Sequence, residues 1–396
     1  MQHPTTVIRA GRLIDGKSNA VQQDRAVFVE DGTITRVAAG AEIPPGADNL
    51  VDLSDATVLP GLIDCHVHLV FSGSDHPLGD LLVEDDQQIL LRAVAGARQA
   101  LSAGITTLRD LGDRGGVTFR LRDAIAQGII AGSRIVAAGS PITITGGHCH
   151  FLGGEADGED GVRVAARRQL KSGANCLKIM ATGGRMTPGT NIRRAQYSVA
   201  EINAAVDEAR RAGVSIAAHA LGTEGIRNAA EAGVNTIEHF NWIGPDGGVQ
   251  FDERVASLMA EKGVAMDPTL VPLSRADPAL REQVVNAMRR ARELGVTIVA
   301  GTDAGVRLLP LNSLPRELEI YVSDLGLSPL EAIQAATSSA ASAIGIGDHV
   351  GTIEQGKAAD MLVVNGDPSV QISDVRNVRA VIKGGRTVVE KGVVVL

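Results

Sequence analysis

The stretch Leu59-Pro60-Gly61-Leu62-Ile63-Asp64-Cys65-His66-Val67-His68 decides the fold of this chain. A turn-forming Pro-Gly pair opens it, an apolar run follows, and it closes on two histidines separated by one residue. Side chains alternate from face to face along a strand, so His66 and His68 point to the same side. Two imidazoles on one face, at the end of a strand, are able to bind one metal ion.

Further short apolar runs follow the first, and Ala-, Arg- and Glu-rich stretches with helical spacing separate them. The strand candidates are residues 62–66, 106–109, 135–138, 176–180, 215–219, 236–239, 264–267 and 297–300. The helical stretches include residues 89–103, 161–172, 199–212 and 281–294. Eight alternating strand–helix units predict an α/β protein with a (β/α)8 TIM barrel over residues 59–349, close to the usual size of about 250 residues. A doubly wound parallel sheet is the alternative, and the count of eight favours the barrel.

Both ends of the chain contain short strands and tight turns. Asp31-Gly32 and Gly384-Gly385 each lie between two β-rich runs, which predicts two hairpins. Residues 1–58 and 350–396 are each too short to bury a good core. We therefore expect them to pack together as one small β-sandwich domain.

The composition excludes several classes of partner. Acidic residues outnumber basic ones by 46 to 38 and no Lys- or Arg-rich block occurs, which argues against nucleic acid and anionic membranes. Three cysteines without a CxxC pair indicate a reducing compartment. The segment Met1–Thr6 lacks the features of a secretory signal. These features predict a cytoplasmic protein, and they leave homo-oligomer formation open.

Other metal-binding residues end other strands. His219 closes the fifth strand, His239 closes the sixth, and Asp303 follows the eighth. The carboxyl ends of barrel strands meet at the face where active sites form. One strand-end histidine is usually structural, but four histidines and an aspartate at one end predict a metal site.

Lys178 is one of only seven lysines and lies inside the fourth strand. A buried ammonium loses its hydration, so an unmodified lysine there needs a lowered pKa or a carboxylate partner such as Asp110. The alternative is that Lys178 has reacted with CO2. Its carbamate would be anionic and could bridge two cations.

Together these motifs resemble those of the amidohydrolase superfamily, in order along nearly the whole chain. The matching segments are residues 59–68, 178–184, 218–220, 237–239, 301–305 and 351–360. Within the superfamily, Thr145-Gly146-Gly147-His148 and Gln196-Tyr197-Ser198 are similar to the imidazolonepropionase-like branch that includes Xaa-Pro dipeptidases. The chain departs from that pattern at Cys149, commonly a glycine, and at Asn312, often a histidine.

The resemblance implies a binuclear centre, usually with two Zn²⁺ ions. His66, His68 and Asp303 would hold the more buried ion, and His219 and His239 the outer one. A CO2-derived carbamate on Lys178 would bridge the two ions. The resemblance also implies that the barrel is distorted and that both termini build the sandwich.

Two such cations would lower the pKa of a bridging water and polarise a scissile carbonyl. Asp303 would take the proton of the water and pass it to the leaving amine. His148 would bind both the substrate and its developing oxyanion, or else be a structural histidine at the rim. Tyr197 would bind a substrate carboxylate or carbonyl, or else be a packing residue.

Several charged residues near the site have less specific interpretations. Arg109 and Asp110 end the second strand and are predicted to form a structural pair beneath the site. His150, Arg185 and Arg193 lie in loops that follow barrel strands, and the sequence leaves open whether they contact the substrate.

The leading hypothesis is hydrolysis of an amide bond in a small molecule, such as a dipeptide, an N-acyl amino acid, or a xenobiotic amide or carbamate. A cyclic amidohydrolase or heterocycle deaminase with a single metal is the second hypothesis, although such enzymes generally lack the lysine. A lactone or ester hydrolase could use the same site. A barrel that has lost catalysis is disfavoured because all six candidate ligands are present. Manganese, cobalt and iron stay open beside zinc.

Overall fold

The computed structural model describes residues 5–47 and 49–395. Residues 1–4 of the segment used above to argue against a secretory signal lie outside the described residues. Within the described ranges, no helix combines the length and the apolar character needed to cross a bilayer.

The described residues form fifteen strands and twelve α-helices. The strands are β1 (Thr6–Leu13), β2 (Gln22–Glu30), β3 (Thr33–Ala39), β4 (Leu50–Pro60), β5 (Leu62–Val67), β6 (Ile105–Asp110), β7 (Arg134–Ala137), β8 (Cys176–Met180), β9 (Ser215–Gly222), β10 (Thr236–Ile243), β11 (Ala265–Asp267), β12 (Met361–Val364), β13 (Val378–Lys383), β14 (Arg386–Glu390) and β15 (Val393–Val394). The helices are α1 (Pro77–Val83), α2 (Asp86–Ser102), α3 (Val117–Ala126), α4 (Gly158–Lys171), α5 (Val199–Ala212), α6 (Thr223–Ala232), α7 (Glu253–Lys262), α8 (Leu270–Leu273), α9 (Pro278–Glu293), α10 (Leu314–Leu325), α11 (Pro329–Ala335) and α12 (Ser338–Ala343).

Strands from both ends of the chain form one eight-stranded sheet, in the order β15-β14-β13-β12-β4-β1-β2-β3. The antiparallel pairing of β12 with β4 joins the two terminal segments. The hairpins predicted at Asp31-Gly32 and Gly384-Gly385 are confirmed by the β2–β3 and β13–β14 pairs. A two-layered sandwich does not follow from this single sheet, so the sandwich and its boundaries stay predictions.

The central strands form two parallel sheets, β5-β6-β7 and β11-β10-β9-β8. Every residue of β5, β6, β8, β9 and β10 is buried. Parallel strands are covered by helices on their faces, which is why their sequences are nearly continuous apolar runs. The few charged residues in these strands therefore lie in the interior and need partners there.

The eighth predicted strand, residues 297–300, is not a regular strand in the structure. It touches β11 through one isolated bridge, Met266 with Ile298, and Cys65 of β5 donates its N–H to the carbonyl of Ala300 at 2.9 Å. Beyond it, Asp303 has a positive φ of 61°, and Ala304 forms one isolated parallel bridge with Val67 of β5. The segment thus lies between β11 and β5 without forming a ladder.

The other edges of the two sheets are joined in a similar way. Ile142, in the loop after β7, forms an isolated parallel bridge with Ile179 of β8 and donates to the carbonyl of Lys178 at 2.8 Å. A closed barrel requires contacts at both of these edges. The ladders of hydrogen bonds nevertheless form two separate sheets rather than one closed sheet. The α/β class is confirmed, and the closed barrel stays a prediction.

The predicted helices are confirmed, with bounds that shift by a few residues. Helix α5 shows the local signals well: Ser198 and Glu201 form a capping box at its start, and Gly213 ends it with a φ of 68°. The polar residues described next lie in the carboxyl-terminal parts of the central strands and in the segments that lead from these strands into the helices.

Candidate metal centre

The six predicted ligands line one cavity of about 840 Å³. They are His66, His68, Lys178, His219, His239 and Asp303, and together they are called the candidate metal centre here. Four lie within β5, β8, β9 and β10, and the other two follow the carboxyl end of β5 and the 297–300 segment. Because these strands are parallel, the residues meet on one side of the sheets, where active sites form in such folds.

His66, His68 and Asp303 form the tightest group in the centre. Oδ1 of Asp303 lies 3.4 Å from Nε2 of His66 and 3.3 Å from Nε2 of His68. One ligand atom from each of the three lies within 4.8 Å of the others. The backbone holds this geometry, because Asp303 donates its N–H to the carbonyl of His66 at 2.7 Å. Asp303 also has the positive φ noted above, a strained conformation that typically occurs at functional sites.

His219 and His239 form the second group. Their ring centroids lie 4.6 Å apart, and that of His239 lies 5.2 Å from that of His66. His239 has a φ of 71°, a left-handed conformation that is uncommon for residues other than glycine. His239 lies within β10, and its ring lines the cavity.

The outer histidines each use one ring nitrogen away from the centre. Nε2 of His219 lies 3.1 Å from the carbonyl oxygen of Gly183, and Nδ1 of His239 lies 2.9 Å from Oγ1 of Thr269. A metal-binding histidine almost always engages its second nitrogen in such a hydrogen bond, which fixes the tautomer and the ring orientation. This leaves Nδ1 of His219 and Nε2 of His239 for a cation.

Burial lowers the pKa of the His66, His219 and His239 imidazoles and so favours their neutral form. It lowers the pKa of His66 to about 4, with help from the Lys178 ammonium. Burial also lowers the pKa of His239 to about 3. A neutral imidazole is the form that binds a metal ion.

Lys178 is only 1% exposed, and its Nζ has no hydrogen-bond partner among the described residues. Burial lowers the pKa of this amine, which favours the neutral form. Asp110 is not its partner, because the Asp110 carboxylate accepts the N–H of Leu69 at 2.7 Å. An unpaired, buried amine beside a cluster of ligand atoms fits a lysine that is modified to an anionic group.

Glu238 is a functional candidate to which sequence reasoning gave no role. Its Oε1 accepts a hydrogen bond from Nη2 of Arg109 at 3.1 Å, and its Oε2 lies 3.1 Å from Nδ1 of His66. The predicted pairing of Arg109 with Asp110 is therefore wrong, because adjacent residues on a strand point to opposite faces. Opposite charges within two fully buried strands, β6 and β10, were the signal that could have identified this pair.

Asp267, at the end of β11, was also missed. It is fully buried, and its Oδ2 lies 3.7 Å from Nδ1 of His66. Burial and the nearby Glu238 carboxylate raise the pKa of Asp267 well above its ordinary value.

His148 lines the cavity, and its ring centroid lies 4.5 Å from that of His219. Its Nδ1 lies 3.0 Å from Oγ1 of Thr187, whose oxygen also accepts the N–H of Cys149 at 2.9 Å. A Cβ on Gly184 would come within 2.2 Å of Nε2 of His148, so only glycine fits against this ring.

The structure does not bring Tyr197 to the cavity. Its side chain is 2% exposed, and its hydroxyl donates to the carbonyl of Ala156 at 2.6 Å. The chain turns into α5 directly after Tyr197, which carries the ring into the packed interior. These contacts correspond to the packing interpretation rather than the substrate-binding one.

The rim residues separate into two sets. Arg185 and Cys149 line the cavity, whereas His150, Arg193 and Asn312 do not. Arg193 instead donates to the carbonyl of Pro245 at 3.2 Å. The apolar side chains that line the cavity include Met180, Met186, Leu221, Pro272, Leu273 and Val306.

Comparison with known proteins adds independent information. A family model described as the amidohydrolase family matches residues 57–388. Ochratoxinase of Aspergillus niger is 31% identical, over 96% of this chain and 86% of its own length. The imidazolonepropionase of Chloroflexus aggregans is 27% identical, over 88% of this chain and 86% of its own. The crystal structure of a Xaa-Pro dipeptidase with methionine bound in its active site matches with a TM-score of 0.87 and 34% identity, over 98% of this chain and 100% of that one.

Proposed function

This chain belongs to the amidohydrolase family, an enzyme family of hydrolases acting on carbon–nitrogen bonds, and we propose that it is a binuclear metal-dependent hydrolase that cleaves an amide bond of a small molecule. The substrate classes proposed are dipeptides, N-acyl amino acids, and xenobiotic amides or carbamates. One observation carries the proposal: all six predicted ligands line one cavity, with an unpaired Lys178 amine among them.

The residues present fit two divalent cations, for which zinc is the expected metal. His66, His68 and Asp303 would hold one ion, since their ligand atoms already lie within 4.8 Å of each other. His219 and His239 would hold the other, and a carbamate on Lys178 would bridge them. The lowered pKa values of His66, His219 and His239 and the buried, unpaired amine of Lys178 support this assignment.

When bound, such cations act as Lewis acids and lower the pKa of a water at the site. Asp303 is suited to move protons there. Burial opposes its ionisation, but His66 and the other nearby histidines outweigh this effect and lower the pKa of Asp303 below its ordinary range. Its carboxylate would take a proton from the water and deliver it to the departing amine, which must be protonated to leave.

His148 is suited to donate a hydrogen bond to the substrate carbonyl. Because Oγ1 of Thr187 accepts from the N–H of Cys149, its own proton can point to Nδ1 of His148. That arrangement would place the imidazole proton on Nε2, which lies 3.6 Å from Sγ of Cys149. An N–H fixed in this way stabilises the negative charge that develops on the carbonyl oxygen.

The cavity wall supports a substrate derived from an amino acid. Part of its lining is aliphatic, and Arg185 is a lining cation that forms no ion pair with another described residue. Arg307, in contrast, pairs with Asp75 at 2.5 Å. The similar Xaa-Pro dipeptidase holds methionine, which combines a carboxylate with an apolar side chain. A carboxylate at Arg185 and an apolar group on the aliphatic wall would orient such an amide.

The second candidate is a cyclic amidohydrolase with one metal ion, which the similarity to an imidazolonepropionase favours. Metal stoichiometry and a substrate screen separate the two. We expect the chelator-treated protein to be inactive, to take up two Zn²⁺ per chain, and then to hydrolyse dipeptides or N-acyl amino acids. One ion per chain with turnover of cyclic amides alone would support the second candidate. Activity on lactones alone would overturn the amide assignment.

A further inference from the structure

Helix α10 carries a buried carboxylate behind one wall of the cavity. Glu317 is 0% exposed, and its two oxygens accept the backbone N–H groups of Leu270 and Val271, the latter at 2.8 Å. The carboxylate forms no ion pair with another described residue. A buried carboxylate is costly unless hydrogen-bonded, so these two amides are what stabilise Glu317 in place.

The residue before those two amides has an unusual conformation. Thr269 has φ 46° and ψ 57°, in the left-handed region. A β-branched residue rarely adopts this conformation, and such strain persists only where the surroundings impose it. Glu317 fixes the next two N–H groups in the chain, and it thereby holds Thr269 in that conformation.

Thr269 connects the hydrogen bonds of Glu317 to the candidate metal centre. Its Oγ1 lies 2.9 Å from Nδ1 of His239. Thr269, Pro272 and Leu273 all line the cavity, so the segment held by Glu317 is also part of its wall. A shift of this segment would move the Thr269 hydroxyl and release the His239 ring.

From these contacts we infer that Glu317 is a positioning residue: through Thr269, it orients His239 so that Nε2 of that ring faces the cavity. The inference rests on the proposed function, because it takes His239 as a metal ligand. Glu317 itself touches neither the substrate nor the reacting atoms. Its role is to set the geometry of one ligand from a helix whose Glu317 lies 47 residues beyond Leu270 in sequence.

The test is a double-mutant cycle on zinc affinity. Glu317→Gln replaces one carboxylate oxygen with an NH2 group that opposes a backbone N–H, and Thr269→Val removes the hydroxyl with little change of shape. We expect each variant to bind the weaker of two Zn²⁺ ions about tenfold less tightly, the range seen when a partner of a metal-binding histidine is lost. The double variant should bind the weaker ion no less tightly than either single variant, because both changes disrupt the same series of contacts from Glu317 through Thr269 to His239. Titration of the metal-free proteins against a chromophoric chelator measures these affinities without relying on activity.

Glu319→Gln is the matched control. Glu319 lies on the same helix but forms surface ion pairs with Arg316 at 2.9 Å and with Arg376, so its loss should leave zinc affinity unchanged. If Glu317→Gln lowers only the free energy of unfolding and binds both ions with wild-type affinity, Glu317 is merely structural. Additive losses in the double variant would also overturn the inference.

The experiment distinguishes failure of the proposed function from failure of the positioning role of Glu317. If Glu317→Gln does not fold, Glu317→Asp retains the carboxyl group but retracts it from the amides, and the same cycle is run with that variant. If the wild-type protein itself binds no zinc, the proposed function fails. If the wild type binds two ions and the cycle shows no coupling, the positioning role alone fails.

Discussion

Nη2 of Arg109 donates a hydrogen bond to Oε1 of Glu238 across 3.1 Å, and neither side chain is exposed to solvent. Nε of Arg109 also donates to the carbonyl of Cys65 at 2.6 Å. One guanidinium thus joins β5, β6 and β10. Since the other oxygen of Glu238 faces His66, this buried pair couples the packing of the strands to the orientation of a predicted ligand.

Arg109→Met should destabilise the protein by about 3–5 kcal/mol, because it leaves the Glu238 charge buried without its partner. The double variant Arg109→Met, Glu238→Met should recover much of that loss. Urea unfolding of the metal-free proteins measures both. Arg9→Met, which breaks the surface pair of Arg9 with Asp24, is the control and should change the free energy of unfolding far less than Arg109→Met does. A double variant as unstable as the sum of its single changes would contradict this prediction.

Lys178→Met and Lys178→Arg should both lower metal content below two ions per chain, since neither side chain can form a carbamate. Amide hydrolysis should fall by more than the roughly 10–100-fold that follows loss of an outer partner of a ligand. Wild-type protein equilibrated with 13C-bicarbonate should show a carbamate carbon resonance that neither variant shows. Full activity in Lys178→Arg would rule out the bridging carbamate.

Gly184→Ala should displace the His148 ring, because the added Cβ would lie within 2.2 Å of its Nε2. We expect kcat to fall about 100-fold, as when one oxyanion donor is lost, with little change in metal content. Gly248→Ala is the control, since its nearest neighbour would be 3.6 Å away. Unchanged kcat in Gly184→Ala would exclude His148 from the reaction.

Arg185→Met should lower kcat/KM for an N-acyl amino acid by about tenfold and leave the corresponding carboxamide unaffected, because only the acid offers a charged acceptor. Arg194→Met, an exposed arginine that does not line the cavity, is the matched control. Equal losses for acid and carboxamide would mean that Arg185 does not recognise a carboxylate.

Glu208→Gln should make stability less sensitive to acid. The Glu208 carboxylate accepts hydrogen bonds from Arg167 at 2.9 Å, Arg163 at 2.7 Å and Arg211 at 2.8 Å, which lower its pKa to about 2. The unfolded value is about 4.3, so the stabilisation is fully present above about pH 5 and is lost as the pH falls toward 2. In urea unfolding, the difference between wild type and variant should therefore be constant from pH 7 to about pH 5 and should shrink below it. Glu253→Gln, which breaks an exposed pair with Arg290, is the control. A difference that grows in acid would contradict the assignment.

The sequence by itself determined the residue types and the strand ends at which they lie. The two hairpins, the buried parallel strands and helix α5 follow from signals within about a dozen residues: turn pairs, apolar runs and caps. His66, His219 and His239 were predicted to end such strands, and they lie within β5, β9 and β10, so their meeting at one cavity followed from the parallel direction of the strands. The family resemblance predicted from these motifs is confirmed by the match over residues 57–388.

Only the tertiary structure decided which partners these residues have. Arg109 pairs with a residue 129 positions away rather than with its neighbour Asp110, and Tyr197 turns into the core instead of the cavity. Asp303 and Thr269 take left-handed backbone conformations, and the Thr269 hydroxyl lies against His239. Such contacts depend on how helices and sheets pack across the molecule. Local periodicity carries no information about that packing, because it records only which face of an element is apolar.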